Sequence, residues 1–298
     1  MRFSVWPGPA QPWADTLELA LHADATGWDG LWFADHFMPN AEDVSGPVAE
    51  AWTTLAGLAV ATKRIRLGTL VAGNTYRHPA VLAKMAAQVD VISNGRVVLG
   101  LGSGWQENEH AKYGIPFSTI GGRLRRLDEA CAIIKGLTIQ PRTTFAGTYY
   151  QVTDAPLEPK PVQKPLPLLI GGGGEQKTLK ITAKWADEWN VWGDPATMTQ
   201  KMAVLDQHCA TLGRDPKTIQ RSAVAMFVLN DDKAVVDRVR AMGRPVIGGT
   251  ADEVRTMIRG YRDAGVDEVI LPDFMLGRGA ARLAAYDRFM TEVAPEFH

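Results

Sequence analysis

One unit recurs along this chain: a short apolar run, then a segment with helical spacing. The runs are 3–6, 30–34, 65–71, 97–101, 168–170, 188–192, 222–229 and 268–271. Most lack the polar alternation of a half-exposed strand, so they read as strands covered on both faces. Strands of that kind lie parallel, and parallel neighbours need long crossovers, which the intervening helices supply. Eight such units in 298 residues predict a single α/β domain over 1–298, a closed (β/α)8 TIM barrel. An open doubly wound sheet is the alternative. Against its dinucleotide-binding form, PGPAQP follows the first run where a glycine fingerprint is needed, and GLGSGW after the fourth has the wrong spacing.

Local signals place the helices. Asp15 and Glu18 have capping-box spacing, as do Thr250 and Glu253. Pro79 suits a first helical position, and Asp194-Pro195 reads as an N-cap followed by N1. The pattern loosens over 105–165, which is expected to hold an insertion after the fourth strand. It comprises a loop over 105–122, a helix over 123–136, a hairpin over 143–152 and the Pro-rich connector PLEPKPVQKPLP.

Composition narrows the function classes. A net charge of −1 with no basic run gives no electrostatic footprint for nucleic acid or an anionic membrane surface, and no stretch is long and apolar enough to span a bilayer. The N-terminus MRFSVWPGPAQPW has no basic segment followed by an apolar one, so a cytoplasmic setting is expected. Cys131 and Cys209 lie in helix-like segments without metal-ligand spacing and read as buried thiols; no metal site is expected.

In a barrel of this kind the active site lies at the C-terminal ends of the strands. Those ends bring Trp6, Asp35 with His36, Leu70 and Val71, Gly104 and Trp105 followed by Asn108 and Glu109, Gly171 to Gly174, and Trp192. Aromatic surfaces, bare backbone and few ionisable groups suit a flat, mostly apolar, phosphorylated ligand. PLLIGGGGEQKT stops an apolar strand in four glycines before a helix, which fits either a flexible turn or an anion site made of unshielded N–H groups. His36 beside Asp35 fits an acid/base pair or a loop histidine bonded to backbone. Glu109 fits an acid or the start of a solvated helix. His78 belongs to a helix start, and Lys177, Lys180 and Lys184 to a solvated helix face.

Five segments in this order, GLWFADHF, RIRLGTLV, YRHPAVLAKMAAQVDVISNGRVVLGLGSGW, PLLIGGGGEQKTLKITAKWADEWN and GTADEVRTMIRGYRDAGVDEVILP, resemble the luciferase-like monooxygenase superfamily, and within it the deazaflavin (F420)-dependent oxidoreductases. The resemblance covers almost the whole chain. It implies hydride transfer between reduced F420 and a small organic molecule, with a flavin mononucleotide (FMN) monooxygenase, served by a separate reductase, as the alternative. A cofactor-binding barrel without turnover is a third reading. It also implies a homodimer.

By the same resemblance Gly172, Gly173, Gly174 and Thr178 hold the cofactor phosphate, and Leu70-Val71 forms a bulge with a cis peptide behind the ring. Gly104 and Asn108 also fall among its cofactor contacts. Asp35, His36 and Glu109 are the implied catalytic groups; Trp6, Trp105 and Trp192, by their position at strand ends and not by the resemblance, are candidates for the substrate pocket, with plain packing as the alternative. One position departs from the pattern: the sugar-phosphate dehydrogenases of this kind carry a glutamate acid where this chain has Trp105. An indole has no carboxylic proton to give. A flat or apolar substrate is therefore expected over a sugar phosphate.

Overall fold

In the computed structural model, which describes residues 1–298, the recurring units close on themselves. The first half runs β1 (Arg2–Trp6), α1 (Trp13–Ala25), β2 (Gly30–Phe33), α2 (Ala51–Ala61), β3 (Arg66–Thr69), a two-residue continuation β4 (Ala72–Gly73), α3 (Pro79–Ser93) and β5 (Val97–Gly102). Then come α4 (Glu107–Tyr113), α5 (Ile120–Ile139) and an antiparallel hairpin of β6 (Thr143–Ala146) and β7 (Gln151–Ala155). The second half is β8 (Leu168–Gly171), α6 (Thr178–Trp185), β9 (Glu188–Trp192), α7 (Pro195–Thr211), β10 (Gln220–Val224), β11 (Met226–Leu229), α8 (Lys233–Arg240), β12 (Val246–Gly249), α9 (Ala251–Asp263), β13 (Glu268–Pro272) and α10 (Ala280–Glu292).

β3, β2, β1, β13, β10, β9, β8 and β5 pair in that order, all parallel, and β3 also pairs with β5. The ring is therefore closed, as the alternation of runs predicts, and the open sheet is excluded. Both faces of the strands are filled. A large cluster containing Phe3, Leu31, Leu67, Leu99 and Ile170 lies between sheet and helices. A small one of Trp6, Trp32, Ala34, Leu70, Val98, Leu169, Val224 and Ile270 fills the lumen. That double burial is why the runs lack alternation.

The lower end of the lumen is polar. Glu268 accepts from Ser4 Oγ at 2.6 Å and Trp32 Nε1 at 2.8 Å, and with Glu188 it meets Arg66 and Arg2. The outer ring includes α5, which packs against α3 and α6, so the helix between β5 and β8 is the ring helix of its own unit.

Four local expectations change. The Asp15–Glu18 box does not form, because Pro12 already presets the start and α1 begins at Trp13 without a side-chain cap. The predicted loop at 105–122 contains α4. The third run, read as one strand over 65–71, stops at Thr69 and resumes at Ala72; the Leu70-Val71 peptide between them is cis, as the resemblance implies. The seventh run is two strands: β10 stays in the barrel, while β11 leaves it to pair with β12. His78 accepts from Ala80 N as the cap of α3, and the Thr250–Glu253 box forms.

The barrel wall is tightest at the fourth unit. A Cβ on Gly100 would lie 1.9 Å from the Thr69 carbonyl oxygen, backbone that cannot rotate away. Gly100→Ala should cost about 3 kcal/mol or more, as severe overpacking does. Urea denaturation followed by tryptophan fluorescence measures it, and a loss under about 1 kcal/mol would contradict this packing.

Candidate active site

The C-terminal strand ends surround a cavity of about 870 Å³, lined mostly by apolar side chains and glycine backbone. Its ionisable lining groups are Asp35, His36, Tyr76 and Arg244.

His36 follows β2 and lies about one-fifth exposed. Its Nδ1 is 3.0 Å from Glu109 Oε2. Glu109, on α4, is fully buried and also accepts from the Tyr76 hydroxyl, Phe37 N and, at 3.1 Å, Met38 N. Burial pushes its carboxyl up. The donations from His36, Tyr76 and Phe37 outweigh that and hold it below the usual carboxylate range. A carboxylate only accepts, so Nδ1 carries the proton, and His36 Nε2 is left without a protein partner. Burial and the neighbouring Glu109 charge push the Tyr76 phenol far above its ordinary range, keeping the hydroxyl a donor.

Asp35 does not orient His36. Asp35 turns to Arg77, which donates to both carboxylate oxygens at 2.7 and 3.0 Å, and to the amide of Gly73 at 3.2 Å. Burial pushes the Asp35 carboxyl up against the pull of Arg77. Arg77 also reaches Glu50 at 2.5 Å, so the pair ties the start of α2 to the end of β4.

Behind the cavity, Leu70 and Val71 present the bulge. Val71 packs into space that only glycines leave: Cβ atoms on Gly102 and Gly171 would fall 2.7 and 2.9 Å from its methyls. Gly104 lines the cavity with φ +78. Of the glycine run, Gly171 and Gly172 line it as well. Gly172 is already committed to the sheet, its N–H donating to the Asn190 carbonyl and its own carbonyl accepting from Trp189 Nε1, both at 2.9 Å. The amides of Gly173, Gly174, Glu175, Gln176 and Lys177 have no acceptor in the protein. Thr178 stands beside them, its Oγ1 2.8 Å from where a Gly174 Cβ would be. The anion-site reading therefore moves by one residue, from Gly172 toward Glu175.

Trp6, Trp105 and Trp192 all line the cavity. Trp105 is 61% exposed and sets its edge to His36 at 5.4 Å between ring centroids. Asn108 and Glu109 do not reach the cavity. Asn108 Nδ2 donates to the Pro39 carbonyl at 3.1 Å, securing the same loop that Glu109 secures. Lys184 pairs with Asp128 on the solvated face, and both cysteines are free and buried. No cluster of His, Cys, Asp or Glu is placed to hold a metal.

Sequence reasoning missed Tyr76, Arg77, Met226, Met242 and Arg244. The first two stand immediately before His78 in the YRHP segment and could have been found there. Met226 lies on β11, in the half of the seventh run that leaves the barrel, and Met242 and Arg244 come just before β12, whose Gly248 and Gly249 hide the strand.

A family model described as luciferase-like monooxygenase matches residues 1–262. An F420-dependent glucose-6-phosphate dehydrogenase of Amycolatopsis mediterranei (strain U-32) is 38% identical over 58% of this chain and 50% of its own length. An F420-dependent hydroxymycolic acid dehydrogenase of Mycobacterium tuberculosis is 29% identical over 88% of this chain and 72% of its own. The chain spans about half the length of the first curated relatives it matches. The solved F420-dependent tetrahydromethanopterin reductase from Methanopyrus kandleri superposes with a TM-score of 0.84 at 20% identity, covering 100% of this chain and 99% of that one, which establishes the shared fold.

The Glu109 hub has a pH signature. A carboxyl whose folded pKa is lowered adds stability that is complete above its unfolded value and is lost as pH falls through the folded one. Glu109→Gln should cost about 2 kcal/mol at pH 7, and its deficit against the parent should shrink as pH falls below about 4. Urea midpoints between pH 7 and pH 3 test this; a deficit constant across that range would contradict an ionised hub.

Proposed function

The chain belongs to the luciferase-like monooxygenase family, and from that premise we propose that it is an F420-dependent oxidoreductase acting on a small organic molecule. The observation that carries this reading is the Leu70-Val71 bulge in the cavity wall together with the acceptor-free amides that begin at Gly173, next along the chain from the cavity-lining Gly172. The bulge offers a flat apolar bed; the amides, at the start of α6, offer an anion site. A phosphorylated tricyclic cofactor needs both. The printed names of the relatives, F420-dependent dehydrogenases, support the same group.

In this reading Leu70, Val71, Gly104 and Gly171 hold the ring, and the amides of Gly173 to Glu175 with Thr178 hold the phosphate. F420, when bound, supplies a two-electron hydride carrier. The remaining chemistry belongs to the chain. His36 Nε2 takes the hydroxyl proton of an alcohol, or returns it to a carbonyl oxygen. Glu109 keeps Nδ1 protonated and stabilises the imidazolium that forms, as a positioning residue. Asp35 and Arg77 brace the loop that carries His36. Trp105 supplies an apolar edge beside His36 where a carboxylic acid would serve a sugar phosphate, so the proposed substrate is flat or apolar.

Two further parts complete the proposal. A homodimer is supported by the exposed apolar Trp13 and Val60 on α1 and α2, and a reducing cytosolic setting by the two free thiols. No helix is long and apolar enough to cross a membrane.

Fluorescence titration of the purified protein decides the cofactor. F420 should bind at least about tenfold more tightly than FMN, and Thr178→Val should weaken F420 by about five- to tenfold. Tight FMN with no F420 binding would overturn the reading in favour of a monooxygenase. Once a substrate is in hand, His36→Asn should lower kcat by about 10² to 10⁴ while F420 affinity holds. An unchanged kcat would remove His36 from the chemistry.

A further inference from the structure

The cavity holds one permanent charge that the protein does not neutralise. Asp35 is paired with Arg77 and His36 with Glu109. Arg244, exposed at the rim in the segment before β12, makes no hydrogen bond or ion pair. Its guanidinium carbon lies 5.0 Å from the centroid of the Trp192 ring. Stacking over an aromatic face fixes the plane of a guanidinium and leaves its N–H fork open.

The wall around it is apolar and flat. Trp192 packs against Trp6 at 5.8 Å, and Trp6 against Phe274 at 5.2 Å. Met226, Met242 and Met275 line the same side, thioethers that adapt to a ligand's outline. Trp6 Nε1 is buried without an acceptor, an unused donor in that wall. This side is built from β1, β9, β11 and β13, whereas the open amides precede α6.

Building on the F420 reading of the same cavity, we propose that Arg244 sets substrate specificity and that the substrate is a flat apolar molecule carrying a carboxylate. A single planar fork matches a carboxylate's two oxygens. No lysine or second arginine lines this wall to share the charge of a phosphate. The carboxylate would lie against Arg244, the apolar body against Trp6, Trp192 and the methionines, and the reacting carbon toward His36.

Calorimetric titration with 2-naphthoate and with its methyl ester, on the F420-loaded protein, tests this. The carboxylate should bind at least about tenfold more tightly than the ester, the effect of one charged hydrogen-bonded pair. Arg244→Gln should abolish that preference, Arg244→Lys should keep part of it, and F420 affinity should be unchanged in both.

Equal binding of the two probes, no binding of either, or a preference that survives Arg244→Gln would overturn the proposal. So would a fall in F420 affinity in Arg244→Gln with naphthoate binding intact, which would assign Arg244 to the cofactor's own anionic groups. Repeating the titration without F420 separates the two readings. If F420 does not bind but the carboxylate preference persists and needs Arg244, the cofactor assignment fails and the substrate assignment stands.

Discussion

Closure of a parallel sheet is the constraint from which the rest of this molecule follows. With β3 paired to β5, no strand edge remains, and eight C-terminal ends are gathered on one rim. The lumen beneath must be filled without voids. Trp32 fills it by crossing over Gly68, where a Cβ would lie 2.6 Å from the indole ring. Below, Glu188 and Glu268 are held by Arg66 and Arg2; burial pushes the Glu188 carboxyl up, and the two arginines oppose it. Such a network repays its desolvation only when every member is paired, and here the Glu268 oxygens also serve Ser4 and Trp32. The lumen is thus closed from below, and the only large opening left is the mouth.

At the mouth, long loops would be mobile unless something tied them. Glu109, on α4, does so by accepting from two other segments at once: His36, Phe37 and Met38 after β2, and Tyr76 after β4. The Asp35–Arg77 pair repeats the tie one residue earlier. Glu109, which touches no cavity surface, therefore fixes the one imidazole that does, while Asp35, in the cavity lining, pairs with Arg77 to brace the loop that carries it. Their cost in desolvation is offset by a rigid His36 whose tautomer is settled before any ligand arrives.

Much of this was legible in the residues. Uninterrupted apolar runs announced strands buried on both faces, and strand ends located Trp6, His36, Trp105 and Trp192 at one rim. The cis bulge at Leu70-Val71 was legible only through resemblance, since neither residue type favours it. Partnerships were not legible. Asp35 beside His36 suggests a couple, yet Asp35 is taken by Arg77, and the carboxylate His36 uses lies 73 positions away. Nor was the split at Ala225, because Val224 to Leu229 is apolar throughout and only pairing distinguishes a barrel strand from one that leaves it. Missing that split meant missing β12, and with it Arg244.

The two sides of the cavity are made of different materials. The side of β3, β5 and β8 is backbone: Gly100, Gly102 and Gly171 stand where any side chain would strike Thr69 or Val71. Nothing there can vary without moving the wall. The side of β1, β9, β11 and β13 is made of side-chain tips, Trp6, Trp192, Met226 and Phe274, joined by Arg244 from a turn outside the ring. Tips can be exchanged while the strands beneath stay in place. Under the proposed function, a site of this construction would hold its cofactor on the backbone face and choose its substrate on the opposite wall, where β11 and β12 have added a segment that the eightfold ring does not require.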